Sequence, residues 1–455
     1  MMLRPAAAVA TALLLLAGCG GNDDNTSDSS SGDSATPVGR TPAVTPATVD
    51  PPKGFVPVSA FGVERNLKDN KDTVSAGMVG QTALNAGVTG ITGRNITAEG
   101  KSWTVPAAAA GITTSDLTTP MTVRLDGKDV VAIAYVQAGE ATGQVLFQWI
   151  DPADGSKVAE VTADLGTLLG RGHRGNRVQR QAYDAATGQI AIGVTPGSDA
   201  TEAKAGDFTV YADPKTRKAS VIPFVTPGGV LNGVVAGIRN TTAGDTLVLI
   251  NGATARITKT MRARFEYLRP AGSGAKHAVF QGTEIVELQA LVYRTTLLSV
   301  DLVSGSIERI KSPITGLAGF TCLGDQAAAI VCTGSQDLRP TEILGIDDTT
   351  GKKRWGFTDK QGVVPRVTAA FHGVLYAQNR AKPVLLDGAT GKYLPAGTPT
   401  LPPSTSASEA LSLYDNTIQS PTAVTSYGAA YLQAATGTAG YDFETILIAL
   451  RPTGA

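Results

Sequence analysis

The chain is short of the side chains that most often carry chemistry. Its 455 residues include three histidines, three cysteines and only 17% charged residues. His173, His277 and His372 stand at no ligand spacing from one another or from a cysteine, so the common zinc patterns are excluded and no metal is expected. There is no G-x-S-x-G elbow, no H-E-x-x-H and no G-x-x-x-x-G-K-[ST], which sets aside elbow hydrolases, zincins and phosphate-loop NTPases. Isolated Asp and Glu are plentiful, but nothing marks a pair as general acid and base, and no catalytic residue is singled out. An excess of positive charge is lacking too. Lys and Arg number 39 against 39 Asp and Glu, whereas nucleic-acid binding draws on cations that displace counterions, so no nucleic acid is expected as a partner.

What is present is β-sheet vocabulary. The chain has 52 Gly and 25 Pro, many Thr, and scattered Val and Ile pairs in short runs, which read as strands between turns. The clearest unit is I-L-G-I-D-D-T-T-G-K-K-R-W-G-F, residues 343–357: strand, polar turn closed by Gly351, strand ending on Trp355. Weaker copies recur. They fall at residues 73–105 (with Trp103), 130–158, 180–221, 230–257, up to Ile310, 371–394 and 427–450. Within the fourth, Asn251-Gly252 is a hairpin signal. In the turns an Asp bonds backbone groups just ahead of it, and Gly supplies the positive φ that closes the turn. A basic run at 259–269 reads as a long excursion between strands.

A period of about 40–60 residues is that of propeller blades. One four-stranded blade cannot bury both faces alone, and stacking blades around an axis does so. The expected fold is all-β, a single β-propeller of four-stranded blades over residues 51–455. It has eight blades, or seven if the fourth unit merges with a neighbour. The eighth unit lacks an outer strand after Leu450, and the orphan apolar segment 54–61 is expected to supply it.

The stretch 345–355 resembles the A-x-D-x-x-T-G-x-x-x-W repeat of quinoprotein-type (PQQ-like) propellers. Asp347, Thr350, Gly351 and Trp355 fall on the pattern and Gly345 replaces the Ala. In that family the Trp docks onto the neighbouring blade and belts the ring. Asp387, Thr390 and Gly391 match as well, with Pro395 at the Trp position; Asp301 and Gly305 match with Arg309 there; Trp103 falls one residue early. Quinoprotein dehydrogenases hold their cofactor against adjacent cysteines with a calcium nearby. This chain has no adjacent cysteines, so the resemblance implies the scaffold without the cofactor.

The N-terminus speaks for location. Arg4 precedes a short apolar run at 6–16, too short to span a bilayer, which ends in Leu16-Ala17-Gly18-Cys19. This resembles the lipobox of bacterial lipoproteins, in which the Cys is diacylated and the peptide is cut before it. The alternative is an ordinary secretory signal with an incidental Cys. On the first reading residues 1–18 are a signal peptide and Cys19 carries two acyl chains, the number that stable anchoring takes. Residues 19–50, rich in Ser, Asp, Thr, Gly and Pro, are then a disordered tether. A coil of roughly 30 residues has a root-mean-square reach of about 30 Å.

Cys322 and Cys332 sit at strand positions of one hairpin, with Gly324-Asp325 off-centre between them. The expectation is a disulfide with a bulge or wider loop, suited to an oxidising compartment and contributing about 2–3 kcal/mol; the alternative is two buried thiols. Residues 169–180 read L-G-R-G-H-R-G-N-R-V-Q-R, and Arg171, His173, Arg174 and Arg177 stand there with no acid. They form either a contact for an anionic partner or a solvated loop. Together these observations describe an extracytoplasmic, membrane-tethered, non-catalytic platform for an envelope protein or polymer. The alternative is an enzyme or ligand sensor that uses the central funnel, which calls for titratable side chains converging on the axis.

Overall fold

The structure is a computed structural model. It describes residues 48–63, 75–96, 101–107, 117–138, 143–166, 177–195, 207–241, 244–263, 265, 267–287, 292–315, 318–336, 339–379, 382–395, 420–436 and 443–453. Among these residues every regular element is a strand. The strands make eight four-stranded antiparallel sheets, so the fourth unit stands as a blade of its own. Blades 1 to 7 are simple meanders at 75–106, 121–166, 177–223, 225–261, 267–315, 319–358 and 366–394. The first strands of blades 8 and 1, of 1 and 2, and of 3 to 8 in succession lie against one another; they ring the axis, and the fourth strands form the rim.

The pattern of each strand follows its layer. The rim strand Lys157–Gly166 alternates, with Ala159, Val161, Ala163 and Leu165 buried and Glu160, Thr162 and Asp164 exposed. Its neighbour Gly143–Ile150 is covered on both faces and reads as a nearly continuous apolar run. Cores lie between blades: Cys322, Leu344 and Ile346 of blade 6 pack with Val279, Leu297 and Ile310 of blade 5.

Blade 8 takes its rim strand from the other end of the chain, as expected. Its order is Phe55–Val63, Phe443–Pro452, Gly428–Thr436, Ala423–Thr425. Phe55 pairs with Pro452 and Val63 with Thr445, with a bulge between Pro57 and Ser59. Phe55 is buried against the rings of Tyr376 and Tyr431, at 6.0 and 6.1 Å, and the Tyr376 hydroxyl donates to the Pro52 carbonyl at 2.6 Å. Without this strand, residues 443–452 would present an unpaired edge.

One turn design joins the third and fourth strands of six blades. Asp151, Asp213, Asn251, Asp301, Asp347 and Asp387 each accept backbone amides two or three residues on through the side-chain oxygen. Four residues on, the chain turns left-handed at Gly155, Arg217, Ala255, Gly305, Gly351 and Gly391, with φ between 54 and 78°. Two readings change here. The turn at Asn251-Gly252 is not a two-residue one: Ala255 is the left-handed residue, and Gly252 serves as space, since a Cβ there would lie 2.7 Å from the Tyr211 ring of blade 3. The run 259–269 is not an excursion either. Residues 259–261 finish the rim strand Arg256–Met261, and 267–269 open the axial strand Tyr267–Ser273.

Meander topology gives the ring two unlike faces. The first-to-second and third-to-fourth turns emerge on one, here the turn face. The second-to-third strand ends, and the strand ends at which one blade gives way to the next, lie on the other, the loop face.

Candidate functional site

The repeat residues are architectural in their contacts. Asp347 Oδ1 accepts the amides of Thr349 and Thr350 at 2.7 and 3.1 Å, and Oδ2 accepts Arg354 Nη2 at 2.7 Å. Desolvation opposes its charge, but Arg354 and the two amides outweigh it and hold the carboxyl below its usual range. The Thr350 hydroxyl accepts the Lys352 amide at 3.4 Å. Trp355 Nε1 donates to the Gly388 carbonyl of blade 7 at 2.9 Å, and its ring covers Gly391, where a Cβ would fall 2.4 Å away. The ring also lies over Gly345 of its own blade, with 2.3 Å to an added Cβ, which accounts for Gly in place of Ala.

Trp103 does the same between blades 1 and 2, donating to the Pro152 carbonyl at 2.9 Å and covering Gly155 and Gly93. It falls one residue early because its strand pairs without the bulge that precedes Trp355. The third tryptophan, Trp149, donates to the Gly188 carbonyl at 2.9 Å, so every indole N–H of the chain reaches the next blade. At blade 4 the same place is taken by Lys259, whose Nζ donates to the Ser304 carbonyl at 2.5 Å. Arg309 instead lies over the Phe265 ring, 5.5 Å from its centroid.

His277, noted in the sequence only for lacking metal spacing, is the centre of a clasp. The Asp348 carboxylate accepts the amides of Ala275 and His277 at 2.6 and 2.9 Å. Its carbonyl accepts His277 Nδ1 at 2.8 Å, and His277 Nε2 faces the Asp301 carboxylate at 3.7 Å. Burial alone would lower the imidazole pKa, but the Asp348 hydrogen bonds and the two carboxylates together raise it. Gly351 lies under this ring, 3.0 Å from an added Cβ. The other buried acids are also held by the frame: Asp184 accepts the Asn232 amide of blade 4 at 2.8 Å, and Glu342 accepts the Ser312 hydroxyl at 2.5 Å while burial pushes its pKa up.

Cys322 and Cys332 form a disulfide across the first two strands of blade 6 as directly opposed partners, Cα to Cα 4.0 Å. The pairing runs without a bulge, and the off-centre turn signal is met by a wider loop at 325–328. Cys19, Arg171, His173 and Arg174 lie outside the described residues. Arg177 opens the axial strand of blade 3 at the loop face.

The loop face carries a cavity of about 1250 Å³ between blades 6 and 7. Gln336, Arg339, Pro340 and Thr341, at the turn between the second and third strands of blade 6, form one wall. Asp359, Gly362, Val363 and Val364, on the connection between the blades, form the floor, and Arg366 and Gln378 of blade 7 close it. The Asp359 amide donates to the Thr341 carbonyl at 3.0 Å and pins the floor to the wall. Pro340, Val363 and Val364 give the lining an apolar strip alongside two cations and an acid, and Val363 is 46% exposed. None of these residues stood out in the sequence. Segments Q-D-L-R-P (336–340) and D-K-Q-G-V-V-P-R (359–366) read as ordinary polar connections, and only the side-by-side stacking of two blades makes them one cleft. Among the described residues no group of three or more His, Cys, Asp or Glu is placed to hold a metal, and no helix is long and apolar enough to cross a membrane.

No protein-family model matches the chain, and no curated protein matches it. Solved structures do. The uncharacterized protein lmo1340 from Listeria monocytogenes EGD-e is 13% identical, over 76% of this chain and 99% of that one, with a TM-score of 0.40. The β-propeller domain of the Trilobed protease from Pyrococcus furiosus is 11% identical, over 74% and 95%, at 0.40. BamB from Moraxella catarrhalis is 11% identical, over 87% and 99%, also at 0.40. Similarity this low transfers no function, and the assignment of the chain as an eight-bladed β-propeller rests on its own eight sheets.

Proposed function

We propose that this protein is a non-catalytic binding platform, held outside the cytoplasm by a lipid on Cys19, that receives an extended segment of an envelope protein at the cleft between blades 6 and 7. The observation that carries this reading is the cleft itself. An apolar strip with Arg339 and Arg366 on its flanks and Asp359 at its floor matches a peptide with an apolar anchor and charged neighbours. On the turn face, polar groups such as Asp348 and Asp184 are already taken up by neighbouring blades. The lipobox-like stretch, the polar residues 20–50 and the Cys322–Cys332 disulfide support the location.

Two measurements test the two halves. Mass spectrometry of the membrane-extracted protein is expected to show a chain starting at a diacylated Cys19, and Cys19→Ser is expected to release the protein from the membrane. An unmodified, soluble wild type would end the tether reading. A photo-crosslinker at position 363 is expected to give one discrete adduct in intact cells, abolished by Arg339→Glu with Arg366→Glu. A smear unchanged by those substitutions would end the cleft reading.

A further inference from the structure

The eight axial strands, Ser75–Val79, Met121–Leu125, Arg177–Tyr183, Val225–Leu231, Tyr267–Ser273, Gly319–Gly324, Arg366–Phe371 and Ala423–Thr425, contain five Arg and no Asp, Glu or Lys. A chain balanced at 39 cations and 39 acids thus places one sign of charge on its axis, and all of it as guanidinium. Arg124 lies toward the turn face and is paired with Asp129 at 3.1 Å. Arg177, Arg269 and Arg366 lie in the half of their strands nearer the loop face, and Arg180 at the middle of its strand.

Arg180 and Arg269 stand out among them. They belong to blades 3 and 5, whose axial strands approach each other beside that of blade 4, which is buried along nearly its whole length. Gly228 and Gly229 let that strand pack closely on blade 5, since added Cβ atoms would lie 2.5 Å from Phe280 and 2.8 Å from Ala278. Arg269 is fixed in place. Its Nε and Nη2 donate to Gln281 Oε1 at 2.9 and 2.6 Å, and Gln281 is itself buried, donating to the Ala318 carbonyl at 2.6 Å. Neither its Nη1 nor any nitrogen of Arg180 meets a carboxylate among the described residues. Both residues are exposed to solvent, beside neighbouring protein. Desolvation lowers the pKa of each, and the charge of Arg180 lowers that of Arg269 further. Nearby acids are engaged otherwise: Asp207 accepts the hydroxyls of Thr195 and Thr226 at 2.6 and 3.2 Å, and Asp245 is met by the Leu268 amide.

Two like charges held close in a partly desolvated channel repel, and an anion between them relieves that cost. The forks come from two blades. One carboxylate is filled by a single bidentate guanidinium, whereas a phosphate presents oxygens in several directions. We infer that the axial channel, entered from the loop face, binds a phosphate group through Arg180 and the open edge of Arg269. This goes beyond the platform reading and does not depend on the lipid or on the cleft.

The test uses the full chain purified in detergent, with pyrophosphate and inorganic phosphate as probes against chloride at equal ionic strength. Saturating pyrophosphate is expected to raise the melting temperature by about 2–4 °C. Arg180→Gln and Arg269→Gln are each expected to weaken binding at least about tenfold. Arg180→Lys, which keeps the charge and loses the fork, is expected to fall between. The unliganded Arg180→Gln protein should melt no lower than wild type, since a repulsion is removed, so loss of binding is not loss of fold. Flotation with phosphatidylglycerol and phosphatidylcholine vesicles then separates the sources. Arg180-dependent flotation assigns a lipid headgroup, and pyrophosphate binding without it assigns a soluble phosphate ligand. No melting shift in wild type, or equal binding by wild type and Arg180→Gln, overturns the inference.

Discussion

On the turn face, Asp348 accepts amides of the preceding blade, His277 lies within 4 Å of two carboxylates, and all three indole N–H groups end on a neighbour's carbonyl. On the loop face, Arg339, Asp359 and Arg366 line an open cleft and form no ion pair with one another. The residue types are similar and their surroundings are not. Where two blades close on short turns, each polar group finds a fixed protein partner, and removing one leaves the other buried and unsatisfied. Where longer connections leave a gap, the same groups stay hydrated and available to a ligand. Substitutions on the two faces should therefore separate stability from binding.

The largest expected effect comes from Trp355. Trp355→Ala removes a ring packed over Gly345 and Gly391 and leaves the Gly388 carbonyl without its donor. A loss of about 3 kcal/mol is expected, read as a lower urea midpoint at unchanged slope. Trp355→Phe keeps most of the ring and loses only the N–H, so about 1 kcal/mol is expected. If both variants lose equally little, the belt does not hold the ring and the contrast between faces fails at its strongest point.

A middle-sized effect is expected at His277, and it depends on pH. The imidazole pKa is raised in the folded protein above its ordinary value of 6.5, because the Asp348 and Asp301 contacts outweigh burial. Its contribution is therefore full below that ordinary value and is lost as pH rises through the folded-state pKa. Lys276, beside it in sequence, is the nearby cation on its own turn. His277→Gln should cost about 1–2 kcal/mol at pH 5.5 and less at pH 8.5. A cost independent of pH would mean that the clasp holds a neutral imidazole.

Much of this architecture was legible in the sequence, for reasons that are local. Asp347 and Gly351 announce a turn because its hydrogen bonds run within five residues. The disulfide was legible because Cys322 and Cys332 share a hairpin, and ring closure because residues 54–61 were an orphan apolar run beside a blade lacking a strand. What was hidden depends on neighbours distant in the chain. Gly155, Gly351 and Gly391 are glycine partly because a side chain of the preceding blade rests on them; Arg217 and Ala255 show that the turn itself tolerates other residues. Lys259 docks where the motif has Trp, and no local pattern says that a Lys takes that role. The cleft and the axial arginines are products of stacking, invisible until eight first strands are set around one axis.

The smallest effect on stability is expected where the effect on binding should be greatest. Val363 is 46% exposed on the cleft floor and makes no hydrogen bond through its side chain, so Val363→Asp neither opens a cavity nor strands a buried donor. Its stability change should stay within about 0.5 kcal/mol, the range of ordinary surface substitutions. The added charge would nonetheless have to be desolvated beneath any apolar anchor entering the strip, beside Asp359 of like sign, which makes docking unfavourable by a route the free protein never senses. Equal melting temperatures combined with loss of the adduct formed from a crosslinker at position 339 would place recognition on the loop face. A melting temperature several degrees lower would instead mean that the floor of the cleft is part of the frame, and the two faces would then differ in degree and not in kind.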